Sequence, residues 1–320
     1  MKSLSKSRRS WFDRAATRCG LVAAFLGSFG GVTPLRAASH CPCSQCSPAS
    51  WHAVETANFR ILTYGCQCAS RETGEKCEAT RATLAEQWLG TTLAPNWTPK
   101  CDIVLHPSDA AYLREVGGGA GSTVASSLID RKEGRIATRR IDVRGTQPNW
   151  QTAALGHEMT HIVLADRFAD RPLPRWVDEG MAILADSREK QRLHRQDLKK
   201  ALESRSQFRV LELITLADYP PAQRWGTFYG QSAALVQYLV EQGGERRFVE
   251  FVQLSLDQGY EPALRQVYQV GIAELEQRWQ ARFKSPARDL AVSQETARPS
   301  HSVRPVSLNN PRRPVSVSER

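Results

Sequence analysis

Two periodicities divide this chain. Period-two alternation of apolar and polar residues predicts strands in the first half. Trp51 to Leu62 alternates through V-E-T-A-N-F-R-I-L, Cys101 to His106 reads as a second strand, and Arg135 to Arg144 alternates as R-I-A-T-R-R-I-D-V-R. Between these lie a helical pattern from Arg71 to Trp88 and a short one from Ser108 to Val116. From Asn149, a plausible N-cap, the apolar positions take helical spacing: Trp150, Ala153, Ala154 and Leu155, then Ile162, Val163 and Leu164. Arg171-Pro172-Leu173-Pro174 ends that helix, because proline forbids continuation, and a second short helix is expected from about Trp176 to Asp186. Helices follow at about 187–205, Tyr229 to Gln242, Glu245 to Leu256, Pro262 to Val270 and Ile272 to Phe283, with Tyr219-Pro220-Pro221 breaking the run and Gly243-Gly244 ending one helix. A small sheet followed by many helices predicts an α+β domain over 51–285.

The ends of the chain differ from this body. The first 38 residues carry Lys2, Lys6, Arg8, Arg9, Arg14 and Arg18, then an uncharged stretch whose apolar heart runs from Gly20 to Val32. That heart is short of the ~20 apolar residues a membrane-spanning helix needs and suits a signal peptide, with a small-residue cleavage site after Ala37 or Ala38. Arg8-Arg9 hints at twin-arginine export, but an ordinary basic leader fits as well. The expectation is an exported protein, periplasmic or otherwise extracytoplasmic, membrane-anchored if the leader is retained. Residues 286–320 are rich in Pro, Ser and Arg without apolar periodicity, which predicts a disordered or wall-associated tail.

Charge follows the same division. The formal net charge is +10, of which +6 lies in residues 1–38 and +3 in the tail, leaving the body 39–285 near +1. A nucleic-acid partner is therefore not expected, since the basic face it needs is missing. Seven cysteines remain after the leader, within a Cys-rich segment at 39–70 and shortly beyond it: Cys41, Cys43, Cys46, Cys66, Cys68, Cys77 and Cys101. Export favours disulfides, and Cys77 with Cys101 would clamp helix to sheet. A thiolate metal site in the Cys41–Cys68 cluster is the alternative. Gly117 to Gly121 lacks the Gly-Lys-Ser/Thr ending of a phosphate loop and reads as a mobile loop.

The candidate chemistry lies in G-H-E-M-T-H, residues 156–161. On a helix His157 and His161, four apart, share one face and can grip a single metal ion. Glu158 is turned about 100° away, where it can reach a water on that ion rather than join as a ligand. Zinc hydrolysis needs that division: three protein ligands, an open position holding water, and a carboxylate to take the water's proton. The segment Trp176-Val177-Asp178-Glu179-Gly180 follows in the right place to supply the third ligand.

Residues 157–186 resemble the gluzincin metallopeptidases, the thermolysin-like group, and R-W-V-D-E-G-M-A (175–182) is similar to the W-L-N-E-G-F-A segment of its aminopeptidase branch. The likeness extends to compact, exported bacterial peptidase MA-like proteins. It implies a mixed sheet lobe facing a mainly helical C-terminal lobe, Zn2+ as cofactor, and a peptide or protein as substrate. Glu179 would be the third zinc ligand and Asp186 a partner for a ligand imidazole. Thr123 to Asp130 or Arg135 to Arg144 would be the edge strand that holds an extended peptide. Tyr229, opening the helix F-Y-G-Q-S-A-A-L-V-Q-Y-L, would stabilise the oxyanion. The family's G-x-M-E-N amine-reading segment is absent. His194 sits in a charged run and His301 in the tail, so neither matches thermolysin's downstream histidine. The reading is an exported zinc metallopeptidase, set against a non-catalytic envelope protein with a structural metal site and partner-binding termini.

Overall fold

The computed structural model of the chain describes residues 17–19, 50–65, 68–91, 95–117 and 123–284, with backbone alone at 17–19, 68–69 and 284. The rest of the leader, Cys41, Cys43, Cys46, Cys66, most of the Gly117–Gly121 loop and the tail lie outside the described residues. The alternating run at the start is two strands, β2 (Trp51–Glu55) and β3 (Phe59–Tyr64), paired antiparallel, where one was expected. Thr56 N–H donates to the Phe59 carbonyl at 2.9 Å, and the Glu78 carboxylate accepts from Thr56 Oγ1 and Asn58 Nδ2 at 2.6 and 2.7 Å. The turn is invisible to periodicity because the alternation runs straight through it.

These strands form one mixed sheet with β1 (Thr17–Cys19), β4 (Cys101–His106), β5 (Ala125–Lys132) and β6 (Arg135–Arg144). The order is β1-β5-β6-β4-β3-β2, with β4 parallel to both of its neighbours and the remaining pairs antiparallel. Arg135 to Arg144, one of two candidates for a peptide-holding edge, is therefore interior. The other candidate, 123–130, falls on β5, whose outer side meets only the three residues of β1 among the described residues.

The inner face is Phe59 and Ile61, Cys101 and Ile103, Ile141 and Val143, all fully buried. It packs on α1 (Cys68–Leu89) and on α3 (Gly156–Arg167), while α2 (Asp109–Val116) lies along β4 and β6. The Cys77–Cys101 disulfide expected here is absent. Both are buried thiols, and burial pushes Cys77 up to about 12 and Cys101 well above its ordinary value. Each acts as a small apolar side chain in the helix–sheet layer. A second set of contacts holds α3 to the sheet. Asp166 accepts from the Trp97 indole and from the Arg139 guanidinium, while Arg81 and Arg139 stand 4.6 and 5.1 Å from the Trp97 ring.

After a turn through Pro172 and Pro174 the chain is helical: α4 (Arg175–Leu184), α5 (Arg188–Glu203), α6 (Val210–Ile214), α7 (Trp225–Glu241), α8 (Gly244–Gln258), α9 (Tyr260–Tyr268) and α10 (Ile272–Lys284). Only α6 was unexpected, being too short to show a helical period. The chain divides into two compact units between Glu276 and Gln277, inside α10. The observed class is α+β, a mixed sheet followed by helices. No helix among the described residues is long and apolar enough to cross a membrane.

Gly180 sets how closely α4 approaches α7. A Cβ there would lie 2.5 Å from Val236 Cγ2 and 2.8 Å from the Ser232 carbonyl oxygen. Because the obstacle includes backbone, Gly180→Ala should destabilise the fold by about 1–3 kcal/mol. The check is a lower denaturant midpoint with an unchanged slope; an unchanged midpoint would mean that the helices separate freely.

Candidate metal centre

The motif helix starts irregularly. Residues Gln151–Leu155 form a π-helical turn, and Asn149 contributes its carbonyl oxygen, accepting from Thr152 and Ala153 N–H, rather than a side-chain cap. α3 then begins at Gly156, where a Cβ would stand 2.5 Å from the Ala185 carbonyl oxygen. This close approach brings the start of α3 against the end of α4. Both helices are buried where they face each other, so His157, Glu158, His161 and Glu179 are each no more than 1% exposed.

His157 Nδ1 is 3.2 Å from Asp186 Oδ2, and His161 Nδ1 is 2.7 Å from Asp178 Oδ1. With each Nδ1–H held by a carboxylate, the remaining nitrogen of each ring is Nε2, and the two rings stand 5.0 Å apart. His157 Nε2, His161 Nε2 and Glu179 Oε2 are all buried without a hydrogen-bond partner. The ligating atoms of these three residues lie within 4.8 Å of one another. The 3.6 Å between His157 Nε2 and Glu179 Oε2 is too long for a hydrogen bond. Three polar atoms buried together and unpaired are costly unless something binds them. Two imidazole nitrogens and a carboxylate oxygen are a donor set that zinc accepts, and each imidazole has the outer carboxylate such ligands use. The residues fit a metal ion, and no other His/Cys/Asp/Glu group among the described residues does.

Electrostatics in this centre are set by carboxylates at short range. Burial alone would lower His157, but Asp186, Glu179 and Glu158 raise it to about 10. His161 is likewise raised by Asp178 against the pull of burial. Burial would raise Glu179, and the two histidines outweigh it and hold it low. Asp186 is lowered in the same way by His157 and Lys190, whose Nζ is 2.8 Å from Asp186 Oδ1.

Residues 135–285 match the family model of the Peptidase MA superfamily. This stretch is similar to that superfamily. The superfamily comprises zinc peptidases of the gluzincin type, and the α+β fold agrees with the likeness. No curated protein matches the chain. The matched stretch begins at β6, so β5, which faces the motif helix, lies just upstream of it.

Several residues of the centre were not singled out in the sequence. Asp178, on α4 one residue before Glu179, was read only as part of its segment. Tyr219 follows α6, and its hydroxyl donates to Glu179 Oε1. Its ring lies under the Arg175 guanidinium at 5.0 Å, and 5.8 Å from that of Phe228. Tyr229, the expected oxyanion partner, is buried in the second turn of α7, its ring 6.4 Å from that of Tyr219 and 5.9 Å from that of His194. His194 is largely buried, and burial lowers its pKa although Asp186 opposes this. Its spacing to the buried Leu198 and Ala201, four and seven residues on, was the available signal within an otherwise charged helix. Ser127 of β5 donates its N–H to Glu158 Oε2 at 2.9 Å, a contact with no sequence signature.

Because His157 is raised to about 10, the metal-free protein carries it protonated at neutral pH. That protonation stabilises the metal-free fold below the ordinary value of 6.5 and is lost as pH rises through about 10. Metal binding at Nε2 needs the neutral ring, so it must expel the proton. Adding Zn2+ to metal-free protein at pH 7 in weak buffer should release about one to two protons per chain. Apparent affinity should rise about tenfold per pH unit for each proton released. Binding with no proton release would contradict the arrangement described.

Proposed function

We propose that the chain is an exported zinc-dependent peptidase, with zinc held by His157 Nε2, His161 Nε2 and Glu179. The observation that carries this reading is the placement of Glu158. It is buried beside the three unpaired ligand atoms and fixed by a backbone N–H, yet it is not one of the three. A purely structural metal site has no use for such a carboxylate. Zinc would supply Lewis-acid polarisation of the scissile carbonyl and activation of the attacking water.

The remaining work belongs to the chain's own groups. Glu158 Oε2 accepts from Ser127 N–H, which orients the carboxylate and leaves Oε1 to take the attacking water's proton and return it to the leaving amine. Asp186 and Asp178 keep both imidazoles turned with Nδ1 outward. The Tyr219 hydroxyl stands at Glu179 Oε1, and on turning from that oxygen it would donate to the developing oxyanion, so we assign it the donor role first expected of Tyr229. Tyr229, packed against Tyr219 and His194, supports that ring. The leader peptide and export remain part of the proposal on the strength of residues 1–38 alone.

Incubating the zinc-loaded protein with a peptide mixture, with and without a chelator, and identifying the cut sites tests the activity itself. Glu158→Gln should retain one zinc per chain while turnover falls by about a hundred- to ten-thousandfold. Full activity in that variant would overturn the assignment. Tyr219→Phe should lower kcat by about a hundred- to a thousandfold with KM little changed, and Tyr229→Phe should lower it far less. The reverse ranking would return the donor role to Tyr229.

A further inference from the structure

Beside the metal centre lies a cavity of about 160 Å³, bordered by His161 and Asp178 and by Ile129 and Arg131 of β5. Arg175, at the start of α4, also borders it, and most of the remaining lining is proline and alanine. Substrate sites for whole small molecules run roughly 300–1,000 Å³, so this space suits one side chain or one chain end.

Its electrostatics are unbalanced. Among the described residues Arg81, Arg131, Arg139 and Arg144 each bury their Nε. In three of them the rest of the guanidinium is engaged. Arg81 donates to the Pro95 carbonyl, Arg139 to the Pro99 carbonyl and Asp166, and Arg144 to Asp109. The Arg131 side chain makes no hydrogen bond or ion pair with any described residue. It is half-buried, with no carboxylate holding it and its Nε sealed from water. Arg175 is held in place by the Tyr219 ring at 5.0 Å and by Asp218 at 3.9 Å. The one carboxylate bordering the cavity, Asp178, has its Oδ1 engaged by His161. A guanidinium presents planar paired donors that match a carboxylate, and burying one unpaired is unfavourable until such an anion arrives.

Position relates this cavity to the reacting groups. Arg131 lies four residues along β5 from Ser127, whose N–H meets Glu158. At about 3.3 Å per residue, roughly 13 Å of strand separates the two backbones. The outer side of β5 also accepts extended backbone, as its pairing of Ser127 to Ile129 with Thr17–Cys19 demonstrates.

We propose that this cavity is a carboxylate-binding subsite. Arg131, with Arg175 also bordering the cavity, receives a substrate carboxylate within about four residues of the scissile bond. The carboxylate belongs to an acidic side chain or to the substrate's C-terminus. This inference rests on the peptidase reading above and adds the substrate class to it.

The test uses the zinc-supplemented full chain carrying Glu158→Gln, in which cutting is slowed at least about a hundredfold, and two sets of matched peptides. One set carries Glu or Gln at each position in turn, and the other ends in a free carboxylate or an amide. Calorimetry should find a carboxylate peptide binding about ten- to a hundredfold tighter than its neutral twin. Adding Arg131→Gln should abolish that advantage while leaving the neutral twin within about twofold. The set that shows the advantage identifies the source of the carboxylate. Equal binding within both sets, no binding, or an advantage that survives Arg131→Gln would overturn the subsite. Hydrolysis of neutral peptides by the unaltered chain is a separate readout. Cutting without carboxylate preference sinks only the subsite, whereas carboxylate-dependent binding without any cutting sinks only the peptidase reading.

Discussion

Three polar atoms, one from each of His157, His161 and Glu179, are buried against one another without a hydrogen-bond partner, and the rest of the structure is arranged to keep them there. Left to themselves, imidazoles and a carboxylate at such range would turn to hydrogen-bond one another. Asp186 and Asp178 prevent this by holding the opposite nitrogen of each ring, and Tyr219 occupies the other oxygen of Glu179. Each ligand candidate is thus fixed from behind, which leaves a preorganised cluster facing a common point.

Holding that geometry is a problem of helix placement. α3 must meet α4 closely enough for residues 22 positions apart in sequence, His157 and Glu179, to converge. Gly156 permits this contact by lying against the Ala185 carbonyl, and Gly180 permits α4 to sit on α7. At its other end α3 is tied to the sheet through Asp166, Trp97 and Arg139. The glycines and this half-buried ion pair lie away from the reacting groups, but they set where those groups can stand.

The sheet contributes position rather than chemistry. Its inner face carries apolar side chains on β3, β4 and β6, and only on β5 does the strand's backbone reach the centre, through Ser127 N–H on Glu158. The same strand carries Arg131 into the neighbouring cavity. One strand therefore orients the candidate base and offers a charged contact beyond it.

Local regularity made much of this legible in advance. The i, i+4 spacing of His157 and His161, the proline turn and the apolar stripes of the later helices depend only on near neighbours, so the α+β order and the core of the metal motif follow from the sequence alone. The proposed export rests on residues 1–38 alone. Tertiary structure decided what depends on residues far apart. It turned Cys77 and Cys101 into separate buried thiols, made Arg135 to Arg144 an interior strand, and split the run from Trp51 to Leu62 with a turn held by Glu78. It brought Tyr219 to Glu179, Asp178 to His161, His194 behind the cluster and Ser127 to Glu158. Hydrophobic period reports which face of an element is buried and nothing of what that face meets. Partners across a core, and donors supplied by backbone, leave no pattern along the chain.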